Sequence, residues 1–257
     1  MVIKEGNTMN SNTFDYNSYY KKISPLYNEI RLDSSSDFKL TLDIILEFIH
    51  KGKEKLLDVG CGTGKYGQAL MKKGVYVEGI DKSPSQIFEA QKVINAHEGN
   101  VINLPYKEKS FDVCIMIMML HHLNQKERRL AFEEIYRVLK DDGMLIIKTA
   151  SHEDLKYRIS SRFFPEALQI DLERYPTIEV IQNELSKYKK ITVKHTVSTS
   201  SFNKGEMLHK LSLRRTSNLG MLSDESLDQG INRFMQTYQN QEIIEKENHN
   251  TFIIVQK

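Results

Sequence analysis

Leu56-Leu57-Asp58-Val59-Gly60-Cys61-Gly62-Thr63-Gly64-Lys65-Tyr66-Gly67 opens as a short apolar strand. It then passes through glycines at alternate positions and runs into a helical pattern at Gln68-Ala69-Leu70-Met71. A strand that feeds a glycine-rich turn and then a helix N-terminus brings backbone N–H groups close to a ligand. Glycine tolerates positive φ and has no Cβ to block the approach, so such a turn suits a nucleoside-bearing cofactor. A dinucleotide fingerprint requires G-x-G-x-x-G. Gly60 and Gly62 fill its first two glycine positions, but Lys65 stands at the third and the pattern fails. What stands instead is an acid two residues before the first glycine, followed by G-x-G-x-G.

Outward from the turn, Val75 to Asp81 reads as a second strand that closes on an acid. Asp81 lies about twenty residues past the glycines, where an acid accepts hydrogen bonds from ribose hydroxyls; the competing reading is a solvated strand end. A helix is expected to follow Pro84 and run through Val93, with the third strand within His97 to Asn103. Ser110 to Ile117 is continuously apolar after its first residues, as a central parallel strand should be. Glu127 to Leu139 reads as a helix, Asp141-Asp142-Gly143 as its exit turn, and Met144 to Thr149 as the fifth strand. This βαβα alternation predicts an α/β, Rossmann-like parallel sheet with helices on both faces.

The flanks are less regular. Met1 to Asn12 reads as a polar, disordered tail, and Phe14 to Arg31 as an amphipathic, aromatic-rich helix followed by a turn at Pro25. Phe38 to His50 repeats apolar residues at helical spacing, with Gly52 as the stop. After Thr149 come two helical patches around Phe163-Phe164-Pro165 and Tyr175-Pro176, then a strand over Ile191 to Thr199. A helical, loop-rich stretch from Asn203 to Gln241 and a last strand over Thr251 to Val255 complete the chain.

With 257 residues, one domain with additions is expected across 1–257. A net charge of +2 is too balanced to imply nucleic acid or a membrane surface. Two cysteines, Cys61 and Cys114, do not make a disulfide framework, and the expected setting is reducing and cytoplasmic. The polar N-terminus is no signal peptide, and Val113 to Leu120 is too short to span a bilayer. No metal site is expected.

Eight consecutive residues, Leu57 to Gly64, resemble motif I of the class I S-adenosylmethionine (SAM)-dependent methyltransferases, whose signature is close to LDVGCGTG. The resemblance runs in recognisable motifs from about Phe14 to Thr149 and is nearest in style to the ubiquinone/menaquinone-biosynthesis type. It implies a seven-stranded sheet, mostly parallel, with the last strand antiparallel and inserted between the fifth and sixth. It divides the chain into an N-terminal helix and SAM-binding core (13–149) and two substrate-lid insertions (150–190 and 200–250). Both insertions leave from the carboxyl edge of the sheet, where open α/β sheets bind ligands. Carried over residue by residue, it places Gly60, Cys61, Gly62 and Thr63 around the methionine part of SAM, Asp81 and Lys82 at the ribose, and Asn100 and Val101 at adenine. Ile117 lies beneath the cofactor, and Tyr20 and Arg31 reach its methionine end, where a carboxylate suits an Arg fork. Asn100 stands where Asp is commoner, and Ile117 where a small polar residue is usual.

Past the fourth strand, Met118-Met119-Leu120-His121-His122-Leu123 is similar to the LHHL sequence frequent in that family. His is the natural proton acceptor at neutral pH, so His121 and His122 are the candidate general bases; packing at the strand–helix junction is the alternative. No N/D-P-P-Y stands here, which argues against methylation of nucleobase amino groups. The Lys and Arg residues from Lys187 to Arg215 read mostly as solvated helix faces, the competing reading being a basic wall for an acidic substrate. Asp33, Asp37, Asp154 and Asp171 are candidates to receive a cationic one. The expected activity is SAM-dependent methyl transfer to N or O of a small metabolite or natural product, or of a short modified peptide, yielding S-adenosylhomocysteine, with no nucleic-acid or membrane partner. A non-catalytic SAM-binding regulator and a protein or RNA methyltransferase are the alternatives.

Overall fold

Seven strands form one sheet in the computed structural model, which describes residues 14–30, 35–49 and 54–257. They are β1 (Lys55–Val59), β2 (Tyr76–Asp81), β3 (Asn95–Glu98), β4 (Phe111–Ile117), β5 (Leu139–Thr149), β6 (Lys190–Asn203) and β7 (Ile243–Gln256), in the order β3-β2-β1-β4-β5-β7-β6. The first five pair in parallel, while β7 runs antiparallel to both β5 and β6.

Successive side chains of a strand point to opposite faces, and here both faces are apolar. Leu57, Cys114, Met116, Leu145, Ile147 and Ile253 fill one core; Leu56, Val113, Ile115, Ile146 and Phe252 fill the other. This explains why β4 reads as an unbroken apolar run. Helices α1 (Tyr16–Ile30), α2 (Ser36–Leu46), α3 (Lys65–Met71) and α4 (Pro84–Ala90) belong to the first half, and α5 (Gln125–Val138) links β4 to β5. Ile44 and Ile45 of α2 and Leu70 of α3 pack on one face; Ala131, Phe132 and Ile135 of α5 pack on the other. A capping box fixes the start of α5: the Asn124 side chain accepts the Glu127 N–H at 3.0 Å, and Glu127 accepts that of Asn124 at 2.9 Å.

Several expected boundaries move. The third strand is Asn95–Glu98 rather than within 97–103, because only Ala96 of this edge strand is buried and no apolar run marks it. The stretch 141–143 belongs to an irregular beginning of β5, with Asp142 at φ 65. Helix α1 continues through Pro25 to Ile30, since a proline removes one donor without obliging the chain to turn. The last two strands are much longer than Ile191–Thr199 and Thr251–Val255. β7 pairs with β5 only from Thr251 onward, so 243–250 and their β6 partners, Thr196–Asn203, rise as a two-stranded arm beyond the carboxyl edge of the sheet.

The expected helical patches after β5 resolve into four short helices, α6 (His152–Lys156), α7 (Ile159–Phe163), α8 (Pro165–Arg174) and α9 (Ile178–Glu184). Between β6 and β7 stand α10 (Lys204–Ser212), α11 (Ser217–Gly220) and α12 (Asp224–Thr237). The two insertions share a core of their own: Ile159, Phe163, Phe164, Leu219, Phe234 and Ile244 are buried together, away from both faces of the sheet. A single packed roof therefore covers the carboxyl edge. No helix among the described residues is long and apolar enough to cross a membrane.

Candidate active site

The glycine turn is held against β2 by its own donors. Gly60 and Cys61 both donate to the Ile80 carbonyl, at 2.8 and 3.1 Å, and Gly64 donates to Cys61 at 3.0 Å. The Gly62 N–H reaches Oδ2 of Asp81 at 3.0 Å, and the Ser83 N–H reaches Oδ1 at 2.9 Å. Gly60, Gly62 and Gly64 all adopt positive φ (72, 56 and 78), a region other residues occupy only under strain. These N–H groups are thus engaged by the chain and do not point outward as a ligand-binding row, contrary to the expectation from the turn alone.

What remains at the turn is a set of acceptors. Asp58 is buried with Oδ2 unpartnered, and Gln86, whose Oε1 lies 3.4 Å from where a Cβ on Gly62 would stand, has that oxygen buried and unpartnered too. Burial, and then the charge of Asp81, push the Asp58 carboxyl up to about 7. Burial also raises Asp81, against the pull of its backbone donors. Each Asp81 oxygen keeps a second lone pair. A pyrophosphate brings more acceptors and is mismatched here. Ribose hydroxyls and an α-ammonium bring donors and positive charge, which both acids and the Gln86 oxygen lack. The residues present fit SAM.

The other expected cofactor residues are distributed unequally. Cys61 offers only backbone, because its thiol is buried with Ile87, Ala90 and Ile94, where burial keeps it protonated. Thr63 is buried in the turn, and Lys82 lies 6.0 Å from the Tyr16 ring. Asn100 is exposed at the turn after β3 and accepts the Ile102 N–H at 3.3 Å, whereas Val101 sinks into the sheet core. Ile117 ends β4 half-buried, and the next residue, Met118, has φ 55, which re-aims the chain at the carboxyl edge. Tyr20 stands over this edge from α1. Arg31 lies outside the described residues, as does Asp33.

His121 and His122 form a 3₁₀ turn with Leu120 directly after this bend. Tyr20 Oη lies 3.1 Å from His122 Nε2, and Arg174 approaches Nδ1 at 3.5 Å. A guanidinium only donates, so Nδ1 accepts, Nε2 carries the proton and the Tyr20 hydroxyl accepts it. Burial, then Arg174 and Lys82, bring the His122 imidazole down to about 3. His121 stacks on Tyr175 with ring centres 4.3 Å apart, and burial holds it well below its usual range too. Both rings are neutral at neutral pH.

Around them lies a cavity of about 780 Å³, lined by α1, the end of β4, the arm of β6 and β7, and the roof. A separate hollow of about 390 Å³ between α5 and α9 touches neither the glycine turn nor the histidines. Two acids expected as free substrate contacts are committed elsewhere. Asp37 lies 2.8 Å from Lys148 through both oxygens, and Lys148 is only 2% exposed. Asp171 accepts from Arg158 at 3.2 Å and from Asn218 at 2.8 Å. Sequence reasoning passed over Arg158, Arg174 and Tyr175, which line or buttress the cavity. Charged and aromatic residues beside Pro176 were the one signal available, and it is a weak one. No cluster of metal-ligating side chains occurs among the described residues.

Asp81→Ala is expected to weaken SAM binding at least tenfold, about 1.4 kcal/mol, since hydrogen bonds to a charged group contribute roughly 1.5–3 kcal/mol. Calorimetric titration measures this directly, and unchanged affinity would remove the ribose assignment.

Residues 57–147 match the family model described as a methyltransferase domain. The chain is 27% identical over 181 residues to an uncharacterized methyltransferase of Oceanobacillus iheyensis, covering 64% of this chain and 84% of that protein. It is 28% identical over 131 residues to malonyl-[acyl-carrier protein] O-methyltransferase of Erwinia billingiae, covering 50% of this chain and 51% of that one, about half its length. The fold is similar to that of phosphoethanolamine N-methyltransferase 2 of Haemonchus contortus, solved with phosphomonomethylethanolamine and S-adenosylhomocysteine. The TM-score is 0.61 at 19% identity, over 95% of this chain and 61% of that one. With an acceptor-lined glycine turn inside it, the matched segment 57–147 is a methyltransferase domain of the SAM-dependent kind, and S-adenosylmethionine is its cofactor.

Proposed function

We propose that the chain methylates a nitrogen or oxygen of a small metabolite or natural product held beneath the roof. The observation that carries this is the cavity. Its volume of about 780 Å³ falls within the roughly 300–1,000 Å³ typical of small-molecule sites. Walls from α1, the outer arm and both insertions surround it, an arrangement that suits a small molecule or short peptide better than a nucleic acid, a membrane or a protein surface.

SAM, when bound, supplies a methyl group on a sulfonium whose leaving thioether is neutral. The chain's tasks are therefore to align the acceptor and to keep water out. Tyr20 and His122 tether α1 to the edge of the sheet through their 3.1 Å contact, and Tyr175 stacks on His121 to seal the adjoining wall. In this reading the histidines position and enclose. A neutral imidazole held near 3 is a poor proton acceptor at neutral pH, so the acceptor atom arrives with its lone pair already available.

The test is transfer of an isotope-labelled methyl group from SAM to the dialysable fraction of a cell extract, compared with its protein and RNA fractions. Label in the dialysable fraction is the expected result. Label confined to protein or RNA would overturn the small-molecule reading. SAM binding without label in any fraction would favour a regulatory binder.

A further inference from the structure

Charges in the cavity do not balance. The carboxylates lining it, among the described residues, are Asp37, Asp154, Asp171 and Glu247. Each has a partner within the chain. Lys148 and Asn250 hold Asp37, and Arg158 and Asn218 hold Asp171. Asp154 accepts the Ser151 N–H at 2.8 Å and the Thr251 hydroxyl at 2.6 Å, while Glu247 lies 2.8 Å from His249 Nε2. Lys246 and Lys210 line the same space without an ion pair or hydrogen bond among the described residues.

These two cations come from different elements. Lys246 stands on the outer arm of β7, opposite Ser200 of β6, and Lys210 belongs to α10 in the second insertion. Arg158, Lys210 and Lys148 act on Lys246 as like charges, with Asp37 as the counter-charge. Burial, then the like charges, bring Lys246 down to about 8 against the pull of Asp37. Both side chains are half-buried, and an ammonium partly withdrawn from water without an ion-pair partner of its own is costly. Two of them lining one cavity suit an anion that the chain does not itself supply. Ammonium groups act as compact point charges and favour hard oxyanions.

The geometry points to a methyl acceptor that carries a carboxylate or phosphate, seated against Lys246 and Lys210 while its nucleophilic atom faces the carboxyl end of β4. This inference rests on the small-molecule reading above and names the class of molecule.

The experiment is calorimetric titration of the full chain, saturated with S-adenosylhomocysteine, using phenyl phosphate, benzoate and uncharged benzamide as probes. At least one anion is expected to bind more than tenfold tighter than benzamide, and the stronger of the two tells phosphate from carboxylate. Lys246→Gln should weaken that anion at least tenfold and Lys246→Arg should restore it, with affinity for S-adenosylhomocysteine unchanged throughout. Lys210→Gln is the second variant should Lys246→Gln fold poorly, and Lys187→Gln on the outer surface is the neutral control. Anions no tighter than benzamide, on a chain that binds S-adenosylhomocysteine normally, would overturn the inference and leave methyl transfer standing. So would Lys246→Gln weakening S-adenosylhomocysteine itself, because the wall would then serve the cofactor's carboxylate. Failure to bind S-adenosylhomocysteine at all would remove this inference and the methyl-transfer reading together.

Discussion

Gly230→Ala is expected to destabilise the protein by about 3 kcal/mol, the upper end of the usual range for overpacking a filled core. A Cβ built on Gly230 lies 2.1 Å from both Cδ1 and Cε1 of Phe164, and Phe164 is fully buried. An alanine at this point of α12 therefore has no flexible chain end to displace. It meets a ring wedged among Ile159, Phe163, Leu227 and Phe234, in the core that joins the two insertions. Either the ring leaves its rotamer or α12 lifts from α7, and both open the roof. Urea denaturation should show a lower midpoint, and methyl-transfer activity should fall with it. Phe164→Leu in the same chain should recover part of the loss, although alone it leaves a cavity and destabilises. Additive losses in the double variant would mean that the two positions do not share space, and the packing account of the roof would fail.

How much of this was visible in the chain depends on what each residue's pattern had to report. Leu56 to Gly67 and Ser110 to Ile117 were legible because strand, glycine turn and doubly buried strand each leave a local mark. The edge strand Asn95–Glu98 leaves none, with one buried residue in four. The arm built from Thr196–Asn203 and Ile243–Asn250 alternates between solvent and a polar cavity, so Ser, Thr, Asn, Glu and Lys replace the apolar residues by which strands are recognised. The histidine pair was legible as residue types but not as chemistry, because its proton affinity depends on burial and on Arg174, more than fifty residues away in sequence. The commitments of Asp37 and Asp171 were hidden for the same reason.

Asp37→Ala is expected to have the other large effect, a loss of about 3–5 kcal/mol, the range for breaking a buried ion pair by removing one partner. The two partners are unequal. Lys148 is 2% exposed at the β5 level of the sheet, whereas the Asp37 side chain is 28% exposed and can reach water from α2. Deleting the aspartate removes a carboxylate that meets the Lys148 ammonium through both oxygens; the Thr41 hydroxyl, at 2.9 Å, stays in place, but an alcohol does not neutralise charge. Deleting the lysine instead, by Lys148→Met, strands an acid that can rehydrate, so it should cost distinctly less. The double variant should be more stable than Asp37→Ala alone, which places the penalty in the buried ammonium rather than in the lost contact. Function should follow stability, because Asp37 also accepts from Asn250 at 2.9 Å and so ties α2 to β7 beside the cavity. Chemical denaturation of the three variants decides the matter: equal losses for the two single substitutions would show that Lys148 reaches solvent, and that the floor of the cavity is wetter than its packing implies.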